Sequence, residues 1–155
     1  MAYMKRTFFI LLLLTFLGSI TGAQELIEKD GNYLLNGELY SGKWTTYYDD
    51  GSVKMEANFK NGLKNGKTLI YFEDGRLNEV RSYKNNEMDG KWVKYNDHNI
   101  KISVANYKDG KKHGKWYIWN DYGNLLYELQ YRDGEKTGVW KNYNEKGELV
   151  SERKY

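Results

Sequence analysis

Little in this chain could do catalytic chemistry. It has two histidines, no cysteine and few serines. His98 falls in a turn and His113 in a linking segment, neither with a carboxylate or thiol at ligand spacing. No serine sits in a nucleophile elbow. No catalytic residue, metal site or cofactor is therefore expected, and the chain reads as a non-enzyme. Three recurring columns remain. Asp49, Glu73, Asp97, Asp121 and Glu145 could be a row of calcium ligands. Copies two strands apart would lie ~10 Å from each other, too far to share an ion held at ~2.4 Å, so they read as turn acids closing local bonds. Lys60, Lys84, Lys108 and Arg132 could meet anionic lipid or cell-wall polymer. Glu87, Asp89, Asp109, Asp133 and Glu135 interleave with them, which favours a solvated edge that discourages strand-to-strand aggregation.

The third column is aromatic: Tyr47, Tyr71, Tyr95, Trp119 and Tyr143, with Lys67, Lys91 and Lys115 nearby. These are the candidate partner contacts. Evenly spaced rings could press on a protein, or stack on sugar rings or choline-like head groups. As purely structural cross-strand pairs they would contribute ~0.2–1 kcal/mol each.

What positions these columns is a repeat of 24 residues. Gly42, Gly66, Gly90, Gly114 and Gly138 keep that step, as do Gly51, Gly75, Asn99, Gly123 and Gly147, and Gly62, Asn86, Gly110 and Gly134. Trp44, Trp92, Trp116 and Trp140 follow it, with Thr68 in the second copy, and so do Phe59, Tyr83, Tyr107, Tyr131 and Tyr155. Each unit offers two strands and two turns, and no helix is expected after Ala23. Asn-Gly and Asp-Gly pairs suit two-residue hairpins whose central residues both need positive φ. The asparagines that replace glycine in two columns assign positive φ to those positions.

A two-residue turn at Asp74-Gly75 sets Gly66 opposite Tyr83. The same register pairs Gly42 with Phe59, Gly90 with Tyr107, Gly114 with Tyr131 and Gly138 with Tyr155. Each glycine then leaves room for the aromatic across from it. One face collects Trp44, Trp92, Trp116, Trp140, Phe59, Tyr83, Tyr107, Tyr131, Ile70, Phe72, Ile118, Leu125 and Leu129, and is expected to be the buried one. The more polar face collects the Tyr47 column among Lys43, Lys67, Lys91, Lys115, Glu56, Glu128 and Gln130. The expected architecture is all-β, an elongated antiparallel meander of stacked hairpins in a largely single-layer sheet. Thr68, standing in the tryptophan column, predicts that the second unit is the weakest packed.

Residues 1–23 read as a secretory signal: Lys5 and Arg6, an apolar run from Phe8 to Leu17, then small residues at Thr21 and Ala23. The run is short of the ~20 residues a spanning helix needs. Residues 24–41 read as an N-terminal cap with an Asn36-Gly37 hairpin signal, and 42–155 as repeat units 42–65, 66–89, 90–113, 114–137 and 138–155. The whole chain carries +3. Lys5 and Arg6 supply two of those charges, so Gln24–Tyr155 carries +1, which gives a nucleic-acid partner no support.

The recurring segments YKDGKKHGKW (Tyr107–Trp116) and YRDGEKTGVW (Tyr131–Trp140) resemble the MORN repeat, and most closely the bacterial variant of the YwqK-like antitoxin family. The resemblance runs from about Leu39 to the C-terminus. It implies a curled sheet of stacked hairpins without enzymatic activity, and roles in scaffolding, lipid association or toxin neutralisation. GKWYIWNDYG is also faintly similar to choline- and glucan-binding repeats of bacterial surface proteins. The expectation is an exported binding module for a protein partner, periplasmic or secreted, with an antitoxin-like role or glycan and lipid-head-group binding as alternatives. Open sheet edges allow an edge-to-edge homodimer.

Overall fold

The computed structural model describes residues 25–155. The signal segment and its cleavage near Ala23 lie outside the described residues. Three short strands come first, β1 (Leu26–Lys29), β2 (Asn32–Leu35) and β3 (Glu38–Leu39). A meander follows: β4 (Gly42–Tyr47), β5 (Val53–Lys60), β6 (Leu63–Tyr71), β7 (Leu77–Lys84), β8 (Glu87–Met88), β9 (Gly90–Tyr95) and β10 (Lys101–Lys108). It continues through β11 (Lys111–Lys112), β12 (Gly114–Trp119), β13 (Leu125–Arg132), β14 (Glu135–Lys136), β15 (Val139–Tyr143) and β16 (Leu149–Lys154). The first three strands make a small sheet of their own, and the rest make one antiparallel sheet in chain order, open at both edges. The described residues are all-β, without a helix. Two-residue strands β8, β11 and β14 pair only with the strand before them.

Two kinds of turn alternate. At Asn85-Asn86 both residues have positive φ, 51° and 69°, and Lys84 pairs with Glu87, a two-residue hairpin. Asn61-Gly62, Asp109-Gly110 and Asp133-Gly134 share that conformation. The turns on the opposite side are longer than the sequence reading has them. Phe72 N–H donates to Arg76 O, and Gly75 N–H donates to Phe72 O, which makes a three-residue loop. Gly75 has φ of 83°, while Asp74 is not in the left-handed region. A longer loop alone would reverse the faces. A β-bulge prevents this, because Tyr71 pairs with Leu77 but Ile70 with Glu79, so Asn78 is skipped. The same bulge recurs at Lys54, Ile102, Leu126 and Val150.

Away from the turn the expected register therefore holds. Gly42, Gly66, Gly90 and Gly114 pair with Phe59, Tyr83, Tyr107 and Tyr131, and Tyr155 N–H donates to Gly138 O. The reason for the glycine is different from the one expected. A methyl group on Gly114 would meet the Asn106 Cβ at 3.7 Å, not the Tyr131 ring. What the column requires is backbone: φ is 92° at Gly90 and 139° at Gly42, outside what L side chains adopt readily. The chain kinks here. Between β7 and its partners, five residue steps from Met88 to Val93 face three from Val80 to Tyr83. Side chains satisfy the polar groups this frees. Ser82 Oγ donates to Lys91 O at 3.1 Å and Trp92 Nε1 to Ser82 O at 3.0 Å. Asn106 and Trp116 repeat the arrangement, and Trp140 Nε1 donates to Gln130 O at 2.9 Å.

The tryptophans thus serve as backbone partners and as links in an aromatic zipper. Ring centroids run Tyr83–Trp92–Tyr107–Trp116–Tyr131–Trp140–Tyr155, each step 4.8–5.5 Å. Such pairs contribute about 0.5–1.5 kcal/mol each beyond their burial. Lys112 and Lys136 lie over neighbouring rings of the zipper, their amines 4.4–5.0 Å from the centroids. The zipper breaks at Thr68, yet that unit is not the weakest packed. Thr68 is 4% exposed, Ala57 and Phe59 on the neighbouring β5 are 0% and 6% exposed, and only Gly62, Val104 and Ala105 join them as buried among the described residues. Tyr33 from β2 fills the gap. Its ring lies 4.7 Å from Phe59, and the Lys64 amine sits over both Tyr33 and Tyr83. Tyr33 N–H also donates to Gly62 O, and Asn86 Nδ2 to Gly31 O, which ties the N-terminal sheet to the meander.

Candidate binding face

Lys67, Leu69 and Tyr71 alternate along β6 and so share one face, opposite Thr68 and Ile70. Across the sheet, register extends that face strand by strand. Leu69 pairs with Val80, Val80 with Val93, Val93 with Val104, and Val104 with Tyr117. Glu56 closes the row at one end, next to Leu69, and Glu128 at the other, next to Tyr117. The face expected to be the more polar one therefore carries a continuous row over five strands, aliphatic on four and ending on Tyr117. The candidate rings form the row beside it: Tyr47 opposite Val53, Tyr71 opposite Leu77, Tyr95 opposite Lys101, Trp119 opposite Leu125 and Tyr143 opposite Leu149. Leu125 thus belongs to this face and not to the tryptophan face, because the bulge lies between it and Tyr127.

The rings differ in exposure. Tyr47 is 60% exposed, whereas Tyr71, Tyr95, Trp119 and Tyr143 are half-buried. Tyr71 Oη donates to Glu56 Oε2 at 3.3 Å, and burial followed by the Glu56 charge pushes its pKa up. Trp119 stacks on Tyr117 at 5.7 Å and takes the Lys101 amine over its ring at 4.8 Å. On the third row, Lys43 pairs with Glu56, and Lys115 with Glu128 at 3.3 Å, a bond that raises the Lys115 pKa. Lys67 and Lys91 are exposed and have no ion-pair partner among the described residues. At the kink, Asn58, Ser82 and Asn106 hold the carbonyls of Lys67, Lys91 and Lys115, and Tyr40 Oη donates to Lys43 O. Leu69, Val80, Val93, Val104 and Tyr117 were not singled out by sequence reasoning. The signal that would have found Leu69, Val93 and Tyr117 is the Lys-x-Leu-x-Tyr alternation starting at Lys67, repeated as Lys-x-Val-x-Tyr at Lys91 and Lys-x-Tyr-x-Trp at Lys115.

The two histidines stand apart from this face and from each other. His98 Nδ1 is 2.8 Å from its neighbour Asp97, and His113 Nδ1 is 3.4 Å from Asp133. No group of three or more histidines, cysteines or carboxylates among the described residues could hold a metal ion. The acidic column stands at the three-residue loops, one residue per loop.

A family model described as MORN repeat variant matches residues 40–61, 64–85 and 136–155. The matched segments cover 64 of the chain's 155 residues. No curated protein matches the chain. Each matched segment spans one kinked glycine, Gly42, Gly66 or Gly138, and one three-residue loop, at Asp50, Asp74 or Lys146.

Proposed function

We propose that the chain is an exported, non-catalytic module that binds a partner protein on the face carrying Tyr71, Tyr95 and Trp119. The observation that supports this most is the ring row on a sheet one layer thick, where Tyr47 is 60% exposed, Leu149 opposite Tyr143 is 53% exposed, and Lys67 and Lys91 stand exposed beside it. Apolar patches beyond a few hundred Å² on a soluble surface mark interaction sites. Kinked lysines along one margin give such a surface orientation and steer encounter. Export is read from Lys5, Arg6 and the apolar run before Ala23. Mass spectrometry of the native protein would find its first residue near Gln24, and an intact Met1 in a membrane fraction overturns that part of the reading.

The binding experiment compares the parent chain with a Tyr71→Ala, Tyr95→Ala, Trp119→Ala variant, both immobilised against envelope extract and against glycan and lipid arrays. The variant loses protein capture while keeping its β-sheet circular dichroism. Equal capture by the two chains removes the ladder as the site. Retention of glycans or lipids by the parent, without protein, moves the function to those ligands.

A further inference from the structure

Asparagine followed by glycine is the step of a chain most prone to lose its side-chain amide, because glycine has no Cβ to hinder attack by its own nitrogen. The chain has three such steps, Asn36-Gly37, Asn61-Gly62 and Asn65-Gly66. The fold guards two of them. Gly62 is buried, its N–H donates to Tyr40 O at 2.7 Å, and the Leu39 side chain fills the place a Cβ would take. Asn65 is half-buried, its Nδ2 donates to Asn85 Oδ1 at 3.1 Å, and Gly66 stands in the ladder opposite Tyr83.

Asn36-Gly37 has none of this protection. At the two-residue turns of the meander the second residue donates its N–H to the unit before: Gly62 to Tyr40 O, Asn86 to Lys64 O, Gly110 to Met88 O and Gly134 to Lys112 O. The turn between β2 and β3 precedes the meander, and the Gly37 N–H makes no backbone hydrogen bond among the described residues. Both turn residues are exposed, and a Cβ on Gly37 would meet nothing within 4 Å. Ring closure has to swing the Gly37 nitrogen toward the Asn36 side chain. The pairs Leu34–Leu39 and Leu35–Glu38 and the bond from Tyr40 N–H to Tyr33 O are what resist that movement.

We propose that Asn36 is a site of spontaneous deamidation whose product loosens the N-terminal cap. The Gly37 nitrogen bonds to Asn36 Cγ as the Cγ–Nδ2 bond breaks. The proton from Gly37 passes through solvent to the departing nitrogen, which leaves as ammonia. Water then opens the cyclic imide at either carbonyl. Cleavage at Cγ gives aspartate, which keeps the backbone and tolerates the φ of 54° found there. Cleavage at the main-chain carbonyl gives isoaspartate, which routes the chain through Cβ. That adds a bond to a two-residue turn, which then no longer sets Leu35 against Glu38. Leu39 and Tyr40, the residues that cover Gly62, follow directly. Asn61-Gly62 is therefore uncovered once the cap has opened.

The test ages the full chain at mildly alkaline pH in heavy-oxygen water and follows each Asn-Gly step by peptide mass spectrometry. Asn36 converts about tenfold or more faster than Asn61 and Asn65, the factor imposed by the one or two hydrogen bonds that must open first. Its products include both aspartate and isoaspartate. In urea strong enough to unfold the chain, the three steps convert at similar rates. The isoaspartate form, separated by ion exchange and aged again without urea, converts Asn61 faster than the parent does. Equal rates in the folded chain overturn the proposal, and so does an Asn36 slower than either other step, or an order that persists in urea. An isoaspartate form whose Asn61 reacts no faster overturns the loosening of the cap.

Discussion

Restoring the missing tryptophan is the sharpest test of how the second unit is built. By the repeat alone, Thr68→Trp should stabilise: it adds two ring contacts of about 0.5–1.5 kcal/mol each and an indole N–H to a kink carbonyl, about 1 kcal/mol. The structure reverses that sign. Thr68 is 4% exposed, and the slot between Phe59 and Tyr83 is taken by the Tyr33 ring, 4.7 Å from Phe59. Overfilling a packed site costs about 1–3 kcal/mol, and displacing Tyr33 also loosens β1–β3. The expectation is a net loss of about 1–2 kcal/mol in the parent background. In a Tyr33→Ala background the slot is open, and the same change becomes stabilising. Urea unfolding of the four chains, followed by circular dichroism, measures the coupling between the two sites, expected near 2 kcal/mol within the usual range of contacting pairs. If Thr68→Trp stabilises equally with and without the Tyr33 ring, Tyr33 does not occupy the tryptophan's place and the account of the cap is wrong.

Gly114→Ala should cost about 1–2 kcal/mol, the strain of an L residue in the left-handed region, since φ there is 70° and the new methyl group finds ordinary contact at 3.7 Å. Gly114→Asn should cost less, because asparagine tolerates that region, and thermal unfolding of the two variants ranks them. Alkali should unfold the chain in two respects that tyrosinate absorbance and circular dichroism separate. Burial, then Glu28, raises the Tyr33 pKa from 10.0 to about 12, and burial raises those of Tyr107 and Tyr131 as well. A raised folded-state pKa means that this stability is complete below 10.0 and disappears as pH climbs through about 12. Tyr33→Phe should flatten the loss in that window, and an unchanged profile would show that the Tyr33 hydroxyl does not contribute to it.

The hairpins were legible because turn backbones choose residues one at a time. Asn86 and Asn99, the two departures from the glycine columns, have φ of 69° and 59°, as the exchange of glycine for asparagine implies. The length of the second turn was not read, although the sequence holds the clue. In the two-residue hairpins the first central position is always Asn61, Asn85, Asp109 or Asp133. The matching place in the other turns is Asp50, Asp74, His98, Tyr122 or Lys146. Tyrosine and lysine are poor residues for positive φ. Asp74-Gly75 fits either turn, but Tyr122-Gly123 fits only the longer one, where the first of the pair stays right-handed.

Two omissions then offset each other. The loop is one residue longer than the short hairpin, and the bulge one strand position later takes one residue back. The register beyond the bulge is unchanged, so glycine still faces aromatic at the far end, for a reason that belongs to the backbone. Only residues between bulge and loop change places, Leu125 among them. The bulge always falls on the second strand of the pair, at Lys54, Asn78, Ile102, Leu126 and Val150. Beyond the kinked glycine, the first strand of each pair, β4, β6 from Lys67, β9, β12 or β15, keeps strict alternation. The candidate rings and lysines lie on those unbulged strands, which is why their shared face could be read from spacing. The row beside them could not, because two of its five members, Val80 and Val104, lie on bulged strands whose face follows from pairing alone.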